Sequence, residues 1–246
     1  MMSILKSNRW IRVFLFYVLA LSTSLPTLGL RGEWFYEANL NFEWSTGKAV
    51  LIALGPFLAA LLFRSYLPSH NRSSLYGGQP ARSLFMIALP ILLFTLVGVD
   101  GFTDQSNHWT GFWLSSILLL YALLEEFGWR GYLEEELLDF PPLTRYVLVG
   151  TFWYAWHWTF LHTTNWLSEL IFWAVLVAAS WGIGQIRAGT KSLLACTAFH
   201  IIGNVFFRYQ LLVEGVPQTT RLILLGLCLF AWIFLVRSWP PQKSEA

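Results

Sequence analysis

The sequence predicts an all-α bundle of about eight membrane-crossing helices, and three observations predict it. Of 246 residues, 56% are hydrophobic and only 12% are charged, with 14 Trp among them. The apolar residues fall in near-continuous runs of roughly 16 to 21, the length that crosses ~30 Å of hydrocarbon at 1.5 Å per residue. The segments between the runs hold Lys and Arg unevenly, as the loops of an oriented membrane protein do.

In chain order the runs are 10–30, 49–67, 83–99, 111–127, 146–161, 166–186, 192–207 and 222–237. The first has two readings. Lys6, Arg9 and Arg12 followed by the short apolar run 13–21 and Ser22, Thr23 and Ser24 have the features of a secretory signal. Apolar residues resume at Leu25, Leu28 and Leu30, which favours a retained helix, with Pro26 and Gly29 loosening its outer end. Segment 31–48, with Glu33, Glu37 and Glu43 among Trp34, Phe35, Tyr36 and Trp44, reads as an interfacial aromatic belt. Segment 68–82 is the densest cluster of turn formers in the chain and reads as a mobile linker. His70 and His108 fall in loops, and Asp100 and Asp104 flank an external turn; all four read as solvated. The fourth run keeps helical spacing through residue 138, so its helix is expected to project beyond the membrane until Pro141 and Pro142 stop it. Glu134, Glu135, Glu136 and Asp139 would then form a solvated acidic face.

With alternating spans and the N-terminus inside, 12 of the 16 Lys and Arg are cytoplasmic and only Arg31, Lys48, Arg208 and Arg221 lie outside. That bias places both termini in the cytoplasm. No internal repeat or second soluble domain interrupts the chain, which reads as one integral membrane domain. No basic groove interleaved with aromatics points to nucleic acid.

Against this background, Glu125, Glu126 and Arg130 at the end of the fourth run need a reason. An ionisable group at the centre of a membrane helix costs about 2.5–3.5 kcal/mol on insertion scales, so such groups mark functional sites by default. Four residues apart on a helix, Glu126 and Arg130 meet as an ion pair, of modest worth if it lies near the interface. Glu125 points about 100° away and is left for chemistry. The bland alternative places both glutamates in the headgroup zone with the acids that follow. Two later runs each carry a histidine: His157 in the fifth, and His200 in the seventh with Asn204 one turn on. At 1.5 Å per residue, Glu125, His157 and His200 fall roughly 9–17 Å below the cytoplasmic surface. A carboxylate and an imidazole activate a water; an imidazole and an amide stabilise a developing oxyanion.

The order Glu-Glu-x-x-x-Arg, an aromatic four residues before His157, then His200-x-x-x-Asn204 resembles the CPBP intramembrane proteases. That superfamily includes the CAAX prenyl endopeptidases of the Ras-converting type and the bacterial Abi proteins. The resemblance runs from about residue 114 to 207 and departs at Trp153, where the family has Phe; Phe152 beside it keeps an aromatic wall. It implies an intramembrane endopeptidase acting on a membrane-embedded or lipid-anchored peptide. Glu125, His157, His200 and Asn204 would be catalytic, and Glu126, Arg130 and Trp153 supporting. The short soluble segments point to a bacterial inner membrane.

The family has been described both as metalloproteases and as glutamate-type proteases. No His-Glu-x-x-His is present, and His157 and His162, five apart, diverge by about 140° around a helix. This favours hydrolysis without a metal cofactor, with zinc on Glu125, His157 and His200 as the alternative. Cys196, four before His200, and Cys228 read as packing residues, and two cysteines give no disulfide framework. No Gly-x-Ser-x-Gly is present. Two other classes stay open. A proton- or ion-coupled transporter would use Glu169, Ser180 and Gln185 with Gly182 and Gly184 along the sixth run. A non-catalytic immunity or binding protein would keep the helices without the chemistry.

Overall fold

A computed structural model of the chain describes residues 8–24, 42–67, 72–100, 105–158 and 164–240. The described residues are helical, joined by short connections: α1 (Arg9–Ser22), α2 (Phe42–Phe63), α3 (Pro80–Val97), α4 (Asn107–Gly128), a π-helical turn (Trp129–Leu133) leading into α5 (Glu134–Glu136), α6 (Pro142–Trp156), α7 (Trp166–Thr190), α8 (Leu193–Ile201), a second π-helical turn (Ile202–Arg208), α9 (Gln210–Gly215) and α10 (Gln218–Arg237). A helix stands at each of the eight apolar runs. Five helical stretches among the described residues are long and apolar enough to cross a membrane: Ala49–Tyr66, Pro80–Val97, Asn107–Glu136, Trp166–Thr190 and Gln218–Arg237. The other three runs give shorter helices, 14 residues in α1, 15 in α6 and 9 in α8. Fourteen residues rise only about 21 Å, short of the ~30 Å hydrocarbon core. The outer part of the first run, residues 25–30, lies outside the described residues.

Local chemistry sets the boundaries. The Asn8 side chain accepts the Ile11 N–H at the start of α1, and the Ser192 hydroxyl accepts the Ala195 N–H at the start of α8; each satisfies a donor the first turn leaves open. Proline opens α3 and α6, where a missing N–H costs nothing. Gly98 closes α3 at φ 84°, a left-handed backbone that favours glycine. The expected helix over 146–161 stops earlier, at Trp156; Trp158 already has φ 57°. Apolarity alone did not show that stop, since the residues beyond it are as hydrophobic as those before. Large apolar side chains such as Leu62, Leu96, Leu170 and Phe230 are exposed on the long helices, as a lipid-facing surface requires.

The chain divides into two compact units. The first draws on residues 1–40, 51–72 and 124–185. Its centre is aromatic: the Phe16 ring lies 4.7 Å from Tyr132 and 5.9 Å from Trp129, and the Trp156 indole donates to the Ala20 carbonyl over 2.9 Å. α2 and α4 approach so closely that a Cβ on Gly128 would stand 2.4 Å from the Pro56 Cβ, so this crossing admits no larger residue. The glutamates expected on a solvated face are here as well, and they are buried. Glu136 pairs with Arg12 of α1, whose Nε donates over 3.3 Å; Glu134 lies 3.8 Å from Arg145 of α6. Only Asp139 is exposed, where it meets Arg9. Local spacing did not reveal this because the cations that accompany the acids come from other helices, Arg145 from the next one and Arg12 from the first.

The second unit draws on residues 41–50, 73–123 and 186–246. Its core packs Met86 and Phe94 of α3, Leu114 and Leu118 of α4, Ile201 and Phe206, and Trp232 of α10. The Trp232 indole donates to the Met86 carbonyl over 3.0 Å. Residues 72–79 are not a loose linker. Ser74 donates its N–H to the Lys191 carbonyl (2.9 Å), the Ser83 and Ser192 hydroxyls are 2.8 Å apart, and Arg187 donates to the Ser73 hydroxyl. Gly77, at φ 53°, sits where a Cβ would be 2.1 Å from the Thr190 carbonyl oxygen. The turn residues were legible; their anchoring to the α7–α8 corner was not.

Candidate active site

In the first unit the last turn of α4 and the π-helical turn after it carry both glutamates, each fully buried. The i, i+4 spacing closes as expected: Arg130 donates to Glu126 over 2.7 Å. Neither side chain reaches solvent, so the pair is a buried one, where a near-interface pair of modest worth was expected. Arg130 also donates to the Ser180 hydroxyl of α7 (3.4 Å), and its guanidinium carbon lies 4.7 Å from the centre of the Trp153 ring. That distance makes a cation–π contact.

Glu125 faces α6. One of its oxygens, Oε2, accepts the indole N–H of Trp153 at 2.7 Å and that of Trp129 at 3.3 Å. Hydrogen bonds to an ionised acceptor are the stronger kind, and two on one oxygen fix the carboxylate's rotation. His157 caps the C-terminus of α6, and its Nδ1 lies 2.7 Å from the Trp153 carbonyl oxygen. A carbonyl only accepts, so Nδ1 carries the hydrogen and, in the neutral ring, Nε2 carries the lone pair. The imidazole is boxed by Trp156 (5.2 Å between ring centres), Phe172 (5.3 Å) and Trp153 (6.1 Å). Glu125, Glu126, Arg130 and Trp153 are thus joined by direct contacts, and His157 is tied to the same helix turn.

The second unit holds His200 and Asn204. His200 is buried near the end of α8 with the Tyr121 ring edge-on at 6.5 Å. Asn204 is half-buried in the π-helical turn that follows, its carbonyl accepting the Tyr209 N–H over 2.8 Å. Both polar motifs therefore lie where an α-helix passes into a π-helical turn, a departure often found at functional sites.

Two residues of the first group escaped sequence reasoning. Trp129 stands four after Glu125, the same spacing that predicted Glu126 with Arg130, and Ser180 had been weighed only as part of a transport path. Of the other candidates, Glu169 accepts the Tyr154 hydroxyl (2.9 Å) and Gly184 packs under Tyr146, where a Cβ would meet the ring at 2.1 Å. His108 is exposed, its Nδ1 2.9 Å from the Thr95 carbonyl, and Asp100 accepts from Asn107. Cys196 and Cys228 are buried. His70, Asp104, His162 and residues 31–41 lie outside the described residues.

Helices long and apolar enough to cross a bilayer, with acidic and basic side chains buried at the end of one of them, mark an integral membrane protein. Comparison with known proteins gives two matches. Residues 107–206 match the family described as type II CAAX prenyl endopeptidase Rce1-like. CAAX prenyl protease 2 of Methanococcus maripaludis is 25% identical over 233 aligned positions, which cover 78% of this chain and 83% of that protein. No solved structure matches the chain. Both matches support the resemblance to the CPBP intramembrane proteases.

Proposed function

We propose that this protein hydrolyses a peptide bond in a prenylated, otherwise lipid-anchored or membrane-embedded protein, and that Glu125 with His157 activates the attacking water. The observation that carries the reading is the buried Glu125 carboxylate, held through one oxygen by two indole N–H groups, with His157 tied to the same turn of α6. A carboxylate so ordered takes the water's proton without reorganising, and in this reading the Nε2 lone pair of His157 accepts or relays it. To His200 and Asn204 we assign donation to the oxyanion of the tetrahedral intermediate. The prenylated class of substrate is carried over from the matching family, described as type II CAAX prenyl endopeptidase Rce1-like, and from the name of the archaeal relative, whose match spans most of both chains. The setting is a plasma membrane, that of a bacterium on the argument from short soluble segments, with both termini in the cytoplasm on the Lys and Arg bias.

Hydrolysis in this reading needs no metal. The alternative is zinc on Glu125, His157 and His200, which would supply Lewis-acid activation of the water; among the described residues no three His, Cys, Asp or Glu side chains are gathered to hold a metal ion, so no step is routed through one.

The test is cleavage of a farnesylated CAAX peptide by purified, monodisperse variants with folding checked independently. Glu125→Ala, His157→Ala and His200→Ala should each lose about 10²–10⁴-fold in rate, and Asn204→Ala about 10²–10³-fold, leaving a small residual activity. Full activity in Glu125→Ala or in His200→Ala would overturn the assignment. Proton-coupled uptake by proteoliposomes, with no peptide cleaved, would point to transport instead.

A further inference from the structure

We infer that Trp153 is a positioning residue, and that its indole N–H transmits a fixed positive charge to Glu125 through the chain Glu126, Arg130, Trp153, Glu125. The inference rests on Glu125 being the base of the proposed reaction. Phenylalanine at this position would fill much of the same space and offer no hydrogen. Tryptophan offers one, and the structure spends it on the carboxylate at 2.7 Å, with the indole itself buried. A buried indole N–H seeks a partner, so the bond fixes the ring as much as the acid.

Arg130 gives the arrangement its direction. Its guanidinium stands over the face of that same indole, 4.7 Å from the ring centre, and is held there by Glu126 at 2.7 Å and Ser180 at 3.4 Å. A cation on the π face draws electron density from the ring and leaves the N–H a stronger donor. The Glu126 pair therefore does more than hold a helix end. It parks a charge behind the donor that orients Glu125. Trp129 supplies a second, longer bond to the same oxygen, so the carboxylate is pinned at Oε2 and its other oxygen takes a defined position. For a general base, an ångström of misplacement costs on the order of 10²-fold in rate.

The decisive variant replaces Trp153 with 3-benzothienylalanine, which keeps the bicyclic shape and puts sulfur in place of the N–H; Trp153→Phe is made beside it. In the full-length protein with a farnesylated CAAX peptide, kcat should fall about 10–100-fold in both, with KM within about twofold. A merely structural tryptophan would lose stability and leave kcat of the folded fraction unchanged. Wild-type kcat in a folded benzothienyl variant would overturn the inference. If that variant does not fold, Trp153→Phe decides by the same criterion. Thermal unfolding gives a readout that needs no substrate: the shift caused by removing the N–H should shrink in a Glu125→Gln background, and equal shifts in both backgrounds would refute the contact. Glu125→Gln assayed alone separates the two ideas. Retained activity there refutes the base assignment itself, whereas an inactive Glu125→Gln with a fully active benzothienyl variant refutes only the positioning role.

Discussion

Substitution of Glu126 by Gln tests the electrostatics of the site most directly. The sequence places Glu126 and Arg130 near an interface, where an ion pair contributes at most about 1 kcal/mol. Both side chains prove to be fully buried, and that changes the arithmetic. Removing one partner leaves the Arg130 charge in a dry interior with the Ser180 hydroxyl at 3.4 Å and the Trp153 ring face, and breaking such a pair costs about 3–5 kcal/mol. For a chain of this length each kcal/mol moves the unfolding midpoint by about 2–4 °C, so Glu126→Gln should melt roughly 6–20 °C below wild type. Cys196 and Cys228 are both buried, so a thiol-reactive fluorophore in detergent reports the transition without an engineered cysteine. A midpoint within about 2 °C of wild type would refute the buried-pair argument. Loss of cleavage as complete as in Glu125→Ala at unchanged stability would instead exchange the roles of the two glutamates.

Two further outcomes are expected. Cleavage should survive exhaustive chelation in detergent, and loss on chelation with recovery on added zinc would make Glu125, His157 and His200 metal ligands. Single cysteines placed at 68–82 and at 242–246 should be labelled from the cytoplasmic side; labelling of both from outside would reverse the orientation.

What the sequence made legible depended on how local each interaction is. The Glu126–Arg130 pair was readable because both partners lie on one helix turn, and the helices were readable because apolar length is a property of the run itself. The fate of Glu134 and Glu136 was not, because Arg145 and Arg12 reach them from other helices. The end of α6 at Trp156 was hidden by apolarity that continues past it. Trp153 shows the limit most clearly. Its departure from phenylalanine is visible in the sequence, but that its N–H faces Glu125 depends on how α6 is rotated against α4, which no periodicity within either helix specifies.

The bond from the His157 imidazole to the Trp153 main-chain carbonyl has an evolutionary corollary. Every residue brings a carbonyl, so the tautomer of His157 is insulated from whatever side chain occupies position 153. The carboxylate enjoys no such protection, since its indole partners can be gained or lost by single substitutions. Selection can thus retune Glu125 by exchanging one aromatic for another while the imidazole keeps its proton on the same nitrogen. Half of the proposed water-activating pair is inherited with the backbone, and the other half is open to adjustment.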